Sequence, residues 1–339
     1  MAKIHFYDVS ALDEQQLGGL LGKDAKAAQF TQGPLSVENA DAECEVASVF
    51  IGSKVNNEVI KRMPKLKGIA CRSTGYDNID MAAAAHHGLS VMNVPTYGEN
   101  TVAEYAFALL LALVRRLPQA TAAFARGEGS HESLRGKDLM GKTLGIVGAG
   151  HIGCHMARIG AGFGMKVLAY DPFPAAGRDK EFGFEYVPLV ELLKESHAVS
   201  LHVPLVPSTR YLIDREKLSW MKPSAVLVNT ARGEIIDTQS LAEALVAGQL
   251  GGAALDVFEG EELVDTDAEM QLLRSGRPDP MLLMENMQLD VLKKLPNVII
   301  TNHNGFNTIE AIERINRVTS DNIRACLAGK PENLVKVKQ

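Results

Sequence analysis

The stretch NVIITNHNGFNT carries a lone histidine, His303, between two asparagines at the end of an apolar run. An imidazole titrates near neutral pH, so His303 has two readings there. It is a strand-end residue bonded to backbone, or it faces a cleft and moves a proton. A second stretch, TLGIVGAGHIGCHMARIG, sets Gly148, Gly150 and Gly153 at G-x-G-x-x-G spacing between an apolar strand and a helix start. The first glycine permits the tight turn, the second lets backbone approach a pyrophosphate, and the third lets helix pack against strand. The helix N-terminus then offers N–H donors to the anion. The next strand, MKVLAYD, ends in Asp171, eighteen residues beyond Gly153, where a carboxylate accepts hydrogen bonds from adenosine ribose hydroxyls. The combination predicts dinucleotide binding with NAD preferred, because Asp171 repels an adenosine 2′-phosphate; Arg178 nearby softens that preference. His151, Cys154 and His155 in HIGCH have ligand-like side chains, but they straddle loop and helix without a fourth ligand, so no metal is expected.

The elements that must position these groups are legible as alternation. KIHFYDV, AAQFT, ASVFIG, LKGIAC and SVMNV read as buried strands of a first parallel sheet. DMAAAAHHG between the last two reads as a helix closed by Gly88, with His86 and His87 in its last turn. After VPTYGE, where Pro95 and Gly98 mark a break, a long apolar helix runs from about Asn100 to Arg116. Alternation then restarts with TLGIVG, MKVLAYD, AVSLHVP, SAVLVNT, GAALDVF and NVIITNH, a second and larger doubly wound domain. The connection from Glu261 to Leu295 is unusually long for such a fold, and connections of that kind are often lids or extra helices.

At 339 residues the chain exceeds what one core usually fills, and 46% apolar residues suffice for two. A net charge of -6 argues against nucleic acid or an anionic membrane as a partner. Four widely spaced cysteines show neither CxxC pairs nor a disulfide scaffold, which fits a reducing cytoplasm. The N-terminus does not resemble a secretory signal, and the apolar run from Tyr105 to Val114 is too short to span a bilayer.

With the glycine loop in place, VNTARGEIID, ALDVFEGEE and ITNHNGF are legible together. Along with RSTGYDNID, VPTYGENTVAE and LHVPLVPSTR, they resemble the D-isomer-specific 2-hydroxyacid dehydrogenases over nearly the whole chain. The long connection after Glu261 resembles the D-lactate and D-2-hydroxyisocaproate dehydrogenase branch. The resemblance implies two doubly wound parallel-sheet domains, with a Rossmann NAD-binding domain at 98–298 inserted into a flavodoxin-like catalytic domain at 1–97 and 299–339. It implies NAD-dependent reduction of a small 2-keto acid, pyruvate or a near relative, to the D-2-hydroxy acid, and the reverse oxidation. A homodimer through the NAD domain is the family default.

For catalysis the resemblance implies three residues. Arg232 would bind the carboxylate and carbonyl oxygens with its planar fork, and His303 would be general acid in reduction and base in oxidation. Glu261 would orient the ring and favour imidazolium; Glu259 competes for that role, but the family's glutamate falls five residues after the aspartate of ALDVF, Asp256. Backbone N–H groups near Thr74 and Gly75 and the hydroxyl of Tyr97 would complete carboxylate binding, and Phe50 and Phe306 would wall the substrate side chain. His151, Ile152, Val203, Pro204, Thr209, Thr230, Ala231 and Asp256 would join Gly148, Gly150, Gly153 and Asp171 around the cofactor. Two departures stand out: Asn302 replaces a proline common before the family's histidine, and His151 stands where arginine or lysine is frequent. An NADH-sensing binding protein on the same scaffold, as in the corepressor relatives, and phosphite oxidation are the competing functions.

Overall fold

The computed structural model describes residues 3–128, 132–261 and 280–335. Most of the long connection after Glu261, with its expected lid or extra helices, lies outside them. The chain packs as two units, Met1–Tyr97 with Asn307–Gln339, and Gly98–Phe306.

The smaller unit runs β1 (Ile4–Phe6), α1 (Ala11–Leu21), β2 (Ala28–Phe30), β3 (Val46–Val49), α2 (Asn57–Arg62), β4 (Gly68–Cys71), α3 (Met81–His86) and β5 (Ser90–Met92). The five strands form a parallel sheet in the order β2-β1-β3-β4-β5. They coincide with the five apolar runs, because strands covered on both faces cannot alternate in polarity. The alanine-rich α3 starts where the Asp80 side chain accepts the Ala83 N–H at 2.9 Å, and Gly88 beyond it has φ +68°, the left-handed turn predicted for it. At the carboxyl ends of β1 and β3 the guanidinium of Arg72 is buried. Its Nη2 donates to the carbonyls of Tyr7 and Asp8, each at 2.7 Å, and its Nη1 donates to Ser48 Oγ at 3.1 Å. Burial lowers its pKa to about 10, so it stays cationic at neutral pH.

The larger unit opens with α4 (Glu99–Val114) and α5 (Leu117–Ala125). It continues through β6 (Thr143–Val147), α6 (His151–Gly162), β7 (Lys166–Tyr170), α7 (Arg178–Phe182), β8 (Glu185–Tyr186), α8 (Leu189–Glu195) and β9 (Ala198–Leu201). After α9 (Arg215–Trp220) come β10 (Val226–Asn229), α10 (Thr238–Val246), β11 (Gly252–Leu255), α11 (Pro280–Lys294) and β12 (Val298–Ile300). The sheet is parallel in the order β12-β11-β10-β9-β6-β7-β8, the doubly wound pattern whose direction reverses between β6 and β9. The six predicted strands are all present; β8, two residues at the sheet edge with no apolar run, had no signature. α4 packs on α6 and buries Ala103, Ala106, Phe107 and Leu110 in the core on that face. Among the described residues no single helix is long and apolar enough to cross a membrane.

The return to the smaller unit falls at 306/307, not at the expected 298/299. The reason is pairing: β12 hydrogen-bonds along β11, so Val298–Ile300 and the loop carrying His303 belong to the larger sheet. The C-terminal helix α12 (Ile309–Leu327) then buries Ile323 and Cys326 against Ile4, Phe6 and Leu17.

Candidate active site

In a parallel sheet every strand ends on the same side, and the candidate residues of the larger unit follow strand ends there. Gly148 follows β6 with φ +98°, and a Cβ on it would lie 2.8 Å from the His202 carbonyl group that follows β9. Gly153, inside α6, has the Gly148 carbonyl oxygen 2.0 Å from where its Cβ would stand. Gly150 differs: nothing lies within 4 Å of its absent Cβ. The loop is thus closed where protein packs on it and open at its second glycine. A pyrophosphate approaching the start of the 12-residue α6 fits that opening. Ile152 packs into the core, and Val203 contributes a methyl 2.9 Å from the position of a Gly148 Cβ.

Asp171, after β7, accepts the Ala149 N–H at 2.9 Å with one oxygen and the Phe173 N–H at 2.9 Å with the other. Thr209 closes the turn after Pro204, donating to the Pro204 carbonyl at 2.6 Å and accepting the Val206 N–H at 2.9 Å. His202 pairs its Nε2 with Ser200 Oγ at 2.9 Å, and burial pushes its pKa down to about 4, so the ring is neutral beside the loop. The side chains of HIGCH diverge. His151 is exposed, with Nδ1 3.6 Å from Glu99 Oε1, Cys154 Sγ points to the Ala149 carbonyl, and His155 sets its edge toward Phe182. Among the described residues no cluster of histidine, cysteine and carboxylate side chains is placed to hold a metal.

After β10 the buried Asn229 shapes the turn that carries Arg232: its Nδ2 donates to the Arg232 carbonyl at 2.8 Å and its Oδ1 accepts the Ala231 N–H at 3.0 Å. The Arg232 guanidinium donates to the Ala231 carbonyl at 2.7 Å. The Thr230 hydroxyl oxygen in the same turn is buried with no partner among the described residues, and a ligand donor or acceptor would satisfy it. Gly233 follows, and a Cβ on it would sit 2.2 Å from the Phe258 carbonyl carbon. That close approach holds the Arg232 turn against the segment leading to Glu261.

His303 and Glu261 meet. Nδ1 of the ring lies 3.0 Å from Glu261 Oε2, and the other carboxylate oxygen accepts the Phe258 N–H at 3.1 Å. Glu259 is committed elsewhere, accepting from Tyr211 Oη at 2.7 Å and from the Thr238 N–H at 3.4 Å. His303 itself has φ +53°, a left-handed conformation uncommon for a side chain of this size. What holds it there is Asp256, a buried residue expected at the nicotinamide end of the cofactor. Its backbone carbonyl accepts the His303 N–H at 2.7 Å, Oδ1 accepts from Thr301 Oγ1 at 2.5 Å and from the Asn304 N–H at 2.8 Å, and Oδ2 accepts the Gly305 N–H at 2.7 Å. Gly305 is required by the clamp, since its Cβ would stand 2.9 Å from Asp256 Oδ2. The Phe306 ring lies edge-on to His303 with centroids 6.3 Å apart. A loop bearing asparagines on both sides of a histidine and then glycine was the signal for this turn; the distant aspartate that fastens it had none.

The remaining candidates belong to the smaller unit. Thr74 donates its hydroxyl to the Val94 carbonyl at 2.8 Å and Asn93 Nδ2 holds the Thr74 carbonyl at 2.7 Å, while the N–H groups of Thr74 and Gly75 meet no protein acceptor among the described residues. Phe50 is fixed through its peptide, N–H to Asp8 Oδ2 at 3.3 Å and carbonyl from Asn78 Nδ2 at 2.9 Å, with its ring 5.5 Å from the Arg72 guanidinium. Tyr97 accepts Arg314 Nε at its carbonyl at 2.6 Å.

Comparison with known proteins identifies the family. Residues 107–305 match the model of the D-isomer specific 2-hydroxyacid dehydrogenase, NAD binding domain. The chain is 38% identical to D-lactate dehydrogenase kk1H of Curvularia clavata over 97% of this chain and 93% of that one. With D-3-phosphoglycerate dehydrogenase of Methanocaldococcus jannaschii it shares 36% identity over 99% of its own length, and it spans 60% of that longer protein. D-lactate dehydrogenase from Aquifex aeolicus, solved with NAD and lactic acid, superposes with a TM-score of 0.86 at 32% identity, covering 99% of this chain and 100% of that one. The chain belongs to the D-isomer-specific 2-hydroxyacid dehydrogenases and is an NAD-dependent oxidoreductase of that family.

Proposed function

We propose that the chain reduces a small 2-keto acid, pyruvate or a near relative, to the D-2-hydroxy acid, and catalyses the reverse oxidation. The observation that carries this reading is the His303–Glu261 pair at 3.0 Å on a loop fastened by Asp256. With Nδ1 occupied by the carboxylate, Nε2 is the ring atom that gives a proton to the alkoxide oxygen as the carbonyl carbon is reduced. NADH supplies the hydride. Arg232 binds the substrate carboxylate and polarises the carbonyl, charge that develops further in the transition state. Thr74 and Gly75 offer N–H groups, and Tyr97 a hydroxyl, to the carboxylate, while Phe50 and Phe306 limit side-chain size.

Relatives named for phosphoglycerate and for D-lactate are similar to this chain at 36% and 38% identity, so the choice of keto acid lies in the residues that touch the side chain. The experiment is NADH oxidation by the purified protein with pyruvate, glyoxylate, hydroxypyruvate, phenylpyruvate and 2-ketoisocaproate, followed by chiral analysis of the product. Fast turnover of a small keto acid to the D-isomer is expected. An L-product, or turnover confined to the bulky acids, would overturn this reading.

We infer also that the chain is a homodimer through the larger unit and works in a reducing cytoplasm. Met140 and Phe163 are exposed apolar side chains at two turns tied by the Gly141 N–H to the Gly164 carbonyl at 3.0 Å, and Phe124 projects from α5. A second copy would cover them. All four cysteines are buried thiols, which supports the compartment.

A further inference from the structure

Asp8 follows β1 with φ +56°, a left-handed conformation that costs energy in most residues other than glycine. Its peptide groups are held there from two sides. The Asp8 N–H donates to the Gly33 carbonyl at 2.9 Å, and Arg72 Nη2 donates to the carbonyls of Tyr7 and Asp8 at 2.7 Å each. So turned, the Asp8 carboxylate lies against the turn of residues 50–53 that follows β3. Oδ2 accepts from the Phe50 N–H at 3.3 Å and from Ser53 Oγ at 2.5 Å. Oδ1 is 2.8 Å from where a Gly52 Cβ would stand, so a side chain there would displace the carboxylate. Asn78 Nδ2 fastens the same turn by its carbonyls, Phe50 at 2.9 Å and Ser53 at 2.8 Å. The Arg72 guanidinium that fixes Asp8 also lies over the Phe50 ring, 5.5 Å from its centroid.

A ring limits the size of a bound side chain only if the turn that carries it cannot give way. Strain at Asp8 and a buried guanidinium spent on two carbonyls are costs that a plain surface turn does not require, and both act on the turn bearing Phe50. We propose that Asp8 is a positioning residue for substrate selectivity: with Arg72 behind it, it fixes Phe50 and so sets the largest keto-acid side chain the protein accepts. The inference rests on the proposed reading of Phe50 as a wall of the side-chain site, and adds the group that keeps the wall in place.

The test compares kcat/KM for pyruvate and for 2-ketoisocaproate with NADH in the wild type, Asp8→Gly, Asp8→Asn, Phe50→Ala and the double variant Asp8→Gly/Phe50→Ala. Glycine keeps the left-handed backbone and removes the carboxylate, whereas asparagine keeps an oxygen able to stand where Oδ2 does. Phe50→Ala is expected to raise the ratio of 2-ketoisocaproate to pyruvate efficiency by about tenfold or more, the scale of discrimination by side-chain size in an apolar pocket. Asp8→Gly should raise the same ratio by roughly three- to tenfold, Asp8→Asn should stay within about twofold of wild type, and the double variant should match Phe50→Ala, because the two residues act through one ring. Should Asp8→Gly fail to fold, Ser53→Ala removes the shorter bond from the turn's other end and is expected to shift the ratio the same way. An equal loss of both activities in Asp8→Gly, an unchanged ratio in the folded variant used, or effects of Asp8→Gly and Phe50→Ala that multiply independently would overturn the proposal and leave the Phe50 wall standing. An unchanged ratio in Phe50→Ala would overturn both, as would a wild type that reduces neither acid.

Discussion

At the scale of single residues, the proposed chemistry rests on side chains whose types were visible and on fastenings that were not. The glycine spacing, Asp171 and His303 stand out in the chain because few other roles demand those residues at those intervals. Arg232 and Glu261 become legible only through family resemblance, and the structure adds why Glu261 is the partner: Glu259 is held by Tyr211 and Thr238. Arg232→Ala is expected to lower kcat/KM for the keto acid by on the order of 10² to 10³, the loss of a charge-assisted contact to the reacting group. NADH affinity in that variant should stay near wild type, and near-normal efficiency would remove Arg232 from its role. Asp256→Asn is a subtler test. An amide cannot accept from Thr301, Asn304 and Gly305 together, so the His303 loop should loosen and kcat should drop by roughly tenfold or more while NADH still binds. Steady-state kinetics reads this as a change in kcat that exceeds the change in KM; a pure KM effect would mean the clamp does not position the histidine.

At the scale of elements, buried parallel strands announce themselves as unbroken apolar runs, which is why KIHFYDV through NVIITNH could be placed from the chain alone. β8 could not, because two residues at a sheet edge carry no periodicity. Nor could the turn geometry after β12: whether His303 adopts φ +53° depends on acceptors that Asp256 brings from β11's end, forty-seven residues earlier. The histidine that follows strand β9 has a testable consequence. His202 has a folded pKa of about 4 against 6.5 for a free imidazole, so between those values the unfolded chain binds more protons than the folded one. Its contribution is complete above about pH 6.5 and is lost as the pH falls toward about 4. Urea unfolding compared at about pH 7.5 and about pH 5.5 should show a larger loss of stability on acidification for the wild type than for His202→Gln. Equal losses would mean that this ring carries no linkage.

At the scale of the whole molecule, the inserted architecture was legible because strand alternation stops and restarts around the helix after VPTYGE. The point of return was not, since the sequence does not say that NVIITNH pairs with GAALDVF. That pairing assigns the histidine loop to the larger unit. The proposed homodimer is tested at this scale. Met140→Glu is expected to shift the protein toward monomer in sedimentation velocity, because a charge would be buried in the contact between copies; an unchanged dimer would place the interface elsewhere. The central claim is that the His303–Glu261 pair moves the proton, and one comparison tests it most directly: turnover and NADH affinity measured side by side for the wild type and His303→Ala. Loss of turnover of at least about a hundredfold with NADH binding retained is expected of a proton donor. Turnover close to wild type would contradict the account, and a parallel loss of NADH binding would make His303 a structural residue.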